Sequence, residues 1–393
     1  MKLPTQPRIG LVLLSAVGDV VHALPVVNAI KRHRPQSKIT WLLQEAGASL
    51  LRGHPSVDEI LLFQRRAGVA GFVKMALELA ERPFDIVLDL QCYFKATVLT
   101  ALCRAPIKIG LDPARARELN WLANNRHLPA KPVAHVQEHF LEFLDYLEIP
   151  REPIEWRLGP WKDERPWQED FFRSIPRPRV ALVAGTSNPR KDWLPENWVR
   201  LNDALQDQWG LTTVLVGAKS PRETALGAKM AAECRHPPVN ALGSGLRRLV
   251  SLLDGCDLVI SPDTGPLHLA GALGKPVIGL YGYNSPARVG PWRQDPRLLI
   301  DAFHHPGEEP QMTFQHRPGK MSLIRWRMFW PKWKSGKIIS FRSDSKFPLP
   351  RSITSWMQGD RVIAPRYPVG NPQIRLCPPP RRSVPPPARP TAP

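Results

Sequence analysis

Apolar positions along this chain fall into short continuous runs separated by stretches at helical spacing. Residues 9–14 (IGLVLL) are apolar throughout, as a strand covered on both faces should be. Residues 15–18 read as a turn. Residues 20–34 then repeat apolar side chains at helical spacing, with Pro25 placed to kink or restart the helix. The same alternation predicts strands at 39–43, 57–63, 85–90 and 107–110, and helices at 47–52, 69–80, 95–102 and 135–147. Residues 151–178, rich in Pro, Trp and charge, read as a connection. A second set follows, with strands at 180–184 and 212–216 and helices at 195–208, 221–234 and 246–253.

The sharpest unit is 257–282, DLVISPDTGPLHLAGALGKPVIGLYG. Leu258-Val259-Ile260 reads as a buried strand ended by Ser261-Pro262. Asp263-Thr264 is expected to cap the next helix through a side chain. Gly274-Lys275-Pro276 stops that helix, and residues 277–281 form another buried strand. Strands alternating with helices in two halves predict an α/β protein of two doubly wound, Rossmann-like domains. The expected boundaries are 1–150, a connection at 151–178, and 179–324, with the site in a cleft at the C-terminal ends of the strands.

A length of 393 residues suits two domains, each with its own core. The net charge of +19 is unevenly spread. Residues 325–393 hold 14 of the 54 Lys/Arg and only 2 of the 35 Asp/Glu, so the remainder is mildly basic and no nucleic-acid partner is expected. Cys92, Cys103, Cys234, Cys256 and Cys377 form no CxxC pair, which suits buried thiols in a reducing compartment. Residues 9–17 follow Lys2 and Arg8 as a signal core would. Gly18-Asp19 and a helical pattern come next instead of a cleavage site, and no run of 18 apolar residues exists. A cytoplasmic protein without a membrane span is the expectation.

Residues 325–393 contain 14 of the 44 prolines and neither Glu nor His, a composition that predicts disorder. Two readings fit this tail. It is a translated alternative frame, or a basic segment for an anionic membrane surface with Trp326, Trp330 and Trp333 as anchors.

The candidate chemistry sits at predicted strand ends. Ser15-Ala16-Val17-Gly18-Asp19 lacks GxGxxG, which disfavours a nicotinamide-dependent dehydrogenase. Asp19 is either a helix cap or a general base, with His22 one turn on. The turn at 263–267 is expected to leave the N–H groups of Thr264, Gly265 and Leu267 free at a helix N-terminus, where an anion is favoured. Gly185-Thr186-Ser187 with Arg190 and Lys191 makes a diphosphate clamp. Glu223 is placed to accept from a ribose or to serve its own first turn. Neither DxD nor a His/Cys cluster occurs, so no obligatory metal site is expected.

Three stretches, LSAVGDVVHALP, GTSNPRKDW and SPDTGPLHLAGALGKPVIGLYG, resemble glycosyltransferase family 9, the lipopolysaccharide heptosyltransferases. The resemblance runs over residues 9–324. It implies a GT-B fold and an inverting transfer of heptose from ADP-heptose to an acceptor of the Kdo-lipid A type, with no obligatory cofactor beyond the ADP-sugar substrate. It implies peripheral contact with the inner face of the inner membrane. It also implies Asp19 as base, Thr186, Ser187 and Lys191 on the diphosphate, and Asp263 on the sugar hydroxyls. Thr264, Gly265 and His268 would line the phosphate end, and Glu223 would reach the ribose. Arg65, Arg66, Arg115 and Arg117, with Arg104 and Lys108, are candidates to meet the anionic acceptor. Where the family leads one to expect a short acidic helix after residue 324, this chain has its basic tail. The alternative is therefore a GT-B nucleotide-binding protein with impaired catalysis.

Overall fold

A computed structural model describes residues 4–329. The first lobe runs β1 (Arg8–Val12), α1 (Val17–His33), β2 (Lys38–Leu43), α2 (Glu45–Leu51), β3 (Glu59–Leu62) and α3 (Val69–Ala80). It continues with β4 (Ile86–Asp89), α4 (Phe94–Leu102), β5 (Lys108–Gly110), β6 (Arg126–His127) and α5 (Val136–Tyr146). One helix, α6 (Arg165–Phe172), lies within the stretch read as a connection. The second lobe runs β7 (Arg179–Val183), α7 (Pro195–Trp209), β8 (Thr212–Val216), α8 (Pro221–Glu233), β9 (Val239–Asn240) and α9 (Leu246–Gly255). It ends with β10 (Leu258–Pro262), α10 (Gly265–Ala272), β11 (Val277–Tyr281), α11 (Pro286–Val289) and β12 (Leu299–Asp301).

Each lobe is built on a six-stranded sheet. The first has the order β3-β2-β1-β4-β5-β6 and the second β12-β11-β10-β7-β8-β9. Every strand pair in both is parallel. The two sheets therefore have one winding, and in each the chain reverses direction between its first and fourth strands. Helices diverge there to opposite faces and leave a crevice at the C-terminal strand ends. The crevices lie after β1 and β4 in the first lobe and after β7 and β10 in the second.

Apolar packing holds these crevices together. One buried cluster joins α1 and α5 residues such as Leu24, Val27, Phe143 and Leu144 to Leu249, Leu253, Leu267 and Leu269 of the second lobe. Leu24 is fully buried, and truncating it to Ala would cost about 2–5 kcal/mol. Two further clusters fill the outer face of each sheet.

The structure corrects several expectations. α1 starts at Val17, three residues before its apolar repeat is recognisable, and runs through Pro25 without a break. Ser261 and Pro262 continue β10 and pair with Gly279 and Leu280. On the β7 side the pairing has already ended at Ile260, so the missing proline N–H costs nothing there. Part of the tail is ordered too. Residues 326–328 form a 3-10 turn, and Phe329 is fully buried with its ring 5.6 Å from that of Trp193. The expectation of disorder for residues 330–393, with its anchors Trp330 and Trp333, lies outside the described residues. Among the described residues no helix is long and apolar enough to cross a membrane.

Candidate active site

The β1 crevice is shaped by a side chain from the turn after β4. Gln91, two residues beyond β4, accepts from the N–H of Leu14 at 2.8 Å and donates to the carbonyl of Ser15 at 2.7 Å. This fixes the turn that delivers Asp19 as the third residue of α1. Asp19 Oδ2 accepts the Ala16 N–H at 2.9 Å, which closes the first turn. Its carboxyl borders a cavity of about 640 Å³, open mouth included. Burial pushes the Asp19 pKa above the usual carboxylate value. The Ala16 N–H, Arg288 and Lys191 pull it back, and Asp263 pushes it up further. A poorly hydrated carboxyl whose pKa is raised by burial is suited to accept a proton once ionised.

The facing crevice belongs to the second lobe. After β7, Thr186 locks its loop: its N–H and its hydroxyl both donate to Asp192 Oδ1, at 2.9 and 2.8 Å. A 3-10 turn at Pro189–Lys191, capped by the Asn188 side chain, carries Lys191 toward β10. There Lys191 Nζ sits 2.8 Å from Asp263 Oδ2. Asn284 Nδ2 donates to the same oxygen at 2.5 Å, and His316 holds the Asn284 carbonyl at 2.7 Å. Ser187 is exposed beside this loop.

Thr264 is the N-cap of α10 with the extended backbone usual there, but contrary to expectation its side chain makes no cap. Leu267 is not free either, since its N–H donates to the Thr264 carbonyl at 3.0 Å. The N–H groups of Thr264 and Gly265 keep no partner among the described residues. Glu223 closes the first turn of α8. It accepts from the N–H and hydroxyl of Ser220 at 3.1 and 2.6 Å and from the Ala218 N–H at 2.9 Å. Its carboxyl also fills the space above two glycines: a Cβ on Gly217 would lie 2.7 Å from Glu223 Oε1, and one on Gly185 would lie 2.9 Å from Glu223 Cγ.

The two lobes meet through these turns. A Cβ on Gly265 would come within 3.0 Å of the Val17 Cβ, and one on Gly18 within 2.9 Å of the His268 ring. His268 lies 4.5 Å, ring to ring, from His22, and its Nε2 is 3.9 Å from Asp263. His135 Nε2 is 2.9 Å from the Gly290 carbonyl of the opposite lobe, while its Nδ1 accepts from the Gln137 N–H. That pattern fixes a neutral tautomer. Burial depresses these imidazoles, His22 to about 4 and His135 to about 3, so the seam between the lobes carries no histidine charge at neutral pH.

The basic candidates separate by sheet edge. Arg65 and Arg66 form an exposed turn after β3, at the C-terminal edge where the crevice lies. Arg117, after β5, is exposed at the same edge. Arg104, before β5, and Lys108, its first residue, lie at the opposite edge, where each donates to a nearby carbonyl, so neither faces the crevice. Arg115 lines the cavity but is itself buried, and its guanidinium is committed to Asp112, Glu142 and the Pro129 carbonyl. It braces the wall rather than presenting a free cation. Residues that sequence reasoning missed are Gln91, His135, Asn284, Arg288 and Phe314. Only Gln91 carried a usable signal, since it directly follows a predicted strand.

Comparison with known proteins agrees with the two-lobed fold. The profile of Glycosyltransferase family 9 (heptosyltransferase) matches residues 72–313. The lipopolysaccharide core heptosyltransferase OpsX of Haemophilus influenzae is 32% identical over 280 residues, which is 71% of this chain and 80% of that protein. Among solved structures, a family 9 glycosyl transferase from Veillonella parvula superposes with a TM-score of 0.71 at 20% identity, covering 85% of this chain and 98% of that one. E. coli heptosyltransferase WaaC, solved with ADP-2-deoxy-2-fluoro heptose, gives a TM-score of 0.57 at 25% identity, over 70% of this chain and 89% of that one.

Proposed function

The chain belongs to glycosyltransferase family 9, and on that premise we propose that it moves a heptose from ADP-heptose to a hydroxyl of the lipopolysaccharide inner core by a single inverting displacement. The observation that carries this reading is the convergence of two lobes on Asp19. The charges of the Lys191–Asp263 pair act on its carboxyl, and the start of α10 packs against Val17 and Gly18 at the start of the helix that carries it. Residues 1–150 would hold the acceptor and 179–324 the donor, with 151–178 as the connection.

Asp19 takes the proton from the acceptor hydroxyl as that oxygen attacks the anomeric carbon. No nucleophile on the protein is needed, because attack and departure occur in one step. Negative charge then builds on the departing diphosphate. Lys191, Ser187 and the unpartnered N–H groups of Thr264 and Gly265 would meet that charge, with Thr186 turning its hydroxyl from Asp192 to the diphosphate when the donor binds. Asp263 accepts from heptose hydroxyls once Lys191 turns to the diphosphate, His268 backs the phosphate end, and Glu223 accepts from the ribose. Holding both substrates between closed lobes supplies the orientation that bimolecular encounter in water lacks. The acceptor is carried by a lipid, so the enzyme works at the cytoplasmic face of the inner membrane. Arg65, Arg66 and Arg117 meet the acceptor's anionic groups.

The test is incubation with ADP-heptose and a Kdo-lipid A acceptor, followed by mass spectrometry for one added heptosyl unit and by NMR for anomeric inversion. Tight ADP binding with no product would favour a nucleotide-binding protein that has lost catalysis.

A further inference from the structure

One wall of the cavity carries a charge that the donor reading leaves unused. Arg288 reaches the cavity from α11 of the second lobe. Its Nε is buried without a hydrogen-bond partner among the described residues. Its guanidinium lies 3.8 Å from the centre of the Phe314 ring. Arg117, from the first lobe, lies 4.4 Å from the centre of the same ring. Two cations from opposite lobes thus share one aromatic side chain, and the ring contact uses none of their N–H donors.

The neighbouring arginine shows what is missing. Arg115, on the same cavity wall, is neutralised by Asp112 and Glu142. Arg288 has no such pair among the described residues: the largest negative influence on it is Asp19, and burial together with Arg117 pushes its pKa down. A half-buried guanidinium whose Nε is sealed from water without a partner is unfavourable until an anion joins it. The rest of the lining mixes apolar side chains, Leu13, Leu90, Val136 and Phe140, with the polar Gln91, Tyr93 and His139. Such a pocket takes a ligand that brings one localised negative group on a body with both apolar faces and hydroxyls.

We propose that Arg288 and Arg117 form a carboxylate-binding subsite on the acceptor side of the cleft, assembled when the lobes meet over Phe314. The planar fork of a guanidinium matches a carboxylate in two parallel hydrogen bonds. The diphosphate of the donor belongs instead to Lys191 and the start of α10. Within the transferase proposed above, the ligand of this subsite is the carboxylate of an acidic sugar in the acceptor. The sugar hydroxyl would then be delivered beside Asp19.

The test compares wild type, Arg288→Met, Arg117→Met and Arg288→Lys on a Kdo-lipid A acceptor and on the same acceptor with its sugar carboxylates reduced to alcohols. Both Met variants should raise KM for the acidic acceptor at least tenfold and leave KM for ADP-heptose within twofold. On the reduced acceptor their acceptor KM should match that of wild type, read above the acid limb of the profile so that the Asp19 shift expected of Arg288→Met does not enter. Arg288→Lys should recover part of the loss. An unchanged acceptor KM, an equal loss on the reduced acceptor, or a rise in donor KM instead would each overturn the subsite. Arg117 is exposed, so its variant reads the subsite even if Arg288→Met folds poorly. A wild-type chain that turns over neither acceptor would overturn the transferase reading alone. In that event calorimetric titration of free Kdo and its carboxyl-reduced form decides the subsite, since only wild type should prefer the acid.

Discussion

Gly265 opens α10 so close to Val17 that a methyl group on it would stand 3.0 Å from the valine Cβ. The start of the donor-side helix is thereby pressed against the start of the helix that carries Asp19. Substituting Gly265 by Ala forces the lobes apart by a few tenths of an ångström, an overpacking cost of about 1–3 kcal/mol. The expected outcome is a fall in kcat/KM of tenfold or more with a well-folded protein, read by steady-state kinetics beside circular dichroism. Unchanged kinetics would mean that this approach does not matter to turnover.

Lys191 and Arg288 both hold the Asp19 pKa down. Removing either cation makes the carboxylate harder to ionise, so its pKa rises. The acid limb of the kcat/KM profile should therefore move to higher pH in Lys191→Met, and donor KM should rise as well. A limb that stays in place, or moves to lower pH, would exclude Asp19 as the group titrating there.

Asp89, at the end of β4, is fully buried among the amides of Asn120 and Asn124, and burial raises its pKa to about 7. Its unfolded value is about 4. A raised folded pKa gives stability that is fully present below about pH 4 and lost as pH rises through about 7. Asp89→Asn should therefore raise Tm at pH 8 and leave it little changed at pH 4. An equal effect at both pH values would place the cause in packing and not in charge.

The histidine seam has the opposite sign. His22 and His135 have folded pKa values of about 4 and 3. Their contribution is complete above the unfolded value of about 6.5 and lost as pH falls toward the folded values. The wild-type Tm should drop between pH 6.5 and 4, and His135→Gln should flatten that drop. A drop of the same size in both proteins would locate the acid sensitivity elsewhere.

What was legible in the sequence follows from length and burial. The long apolar runs that became β1, β4, β7 and β10 are buried on both faces, so their periodicity is plain. The turns after three of them carried readable chemistry. Edge strands of two or three residues, β6, β9 and β12, have too few positions for any period to show. α11 is only four residues long, which is why Arg288 carried no signal. Charge alone could not sort the arginines either. Arg115 and Arg117 are two residues apart, yet one is sealed in ion pairs and the other stands over Phe314. That difference is set by partners distant in sequence, such as Glu142.

The most direct test of the proposed chemistry is Asp19→Asn, measured for heptose transfer and for ADP affinity on the same preparation. Loss of a general base should lower kcat by about a hundred- to ten-thousand-fold and leave ADP binding as tight as in wild type. Transfer at the wild-type rate would contradict the assignment of Asp19, and with it the account of a proton leaving the acceptor across this cleft.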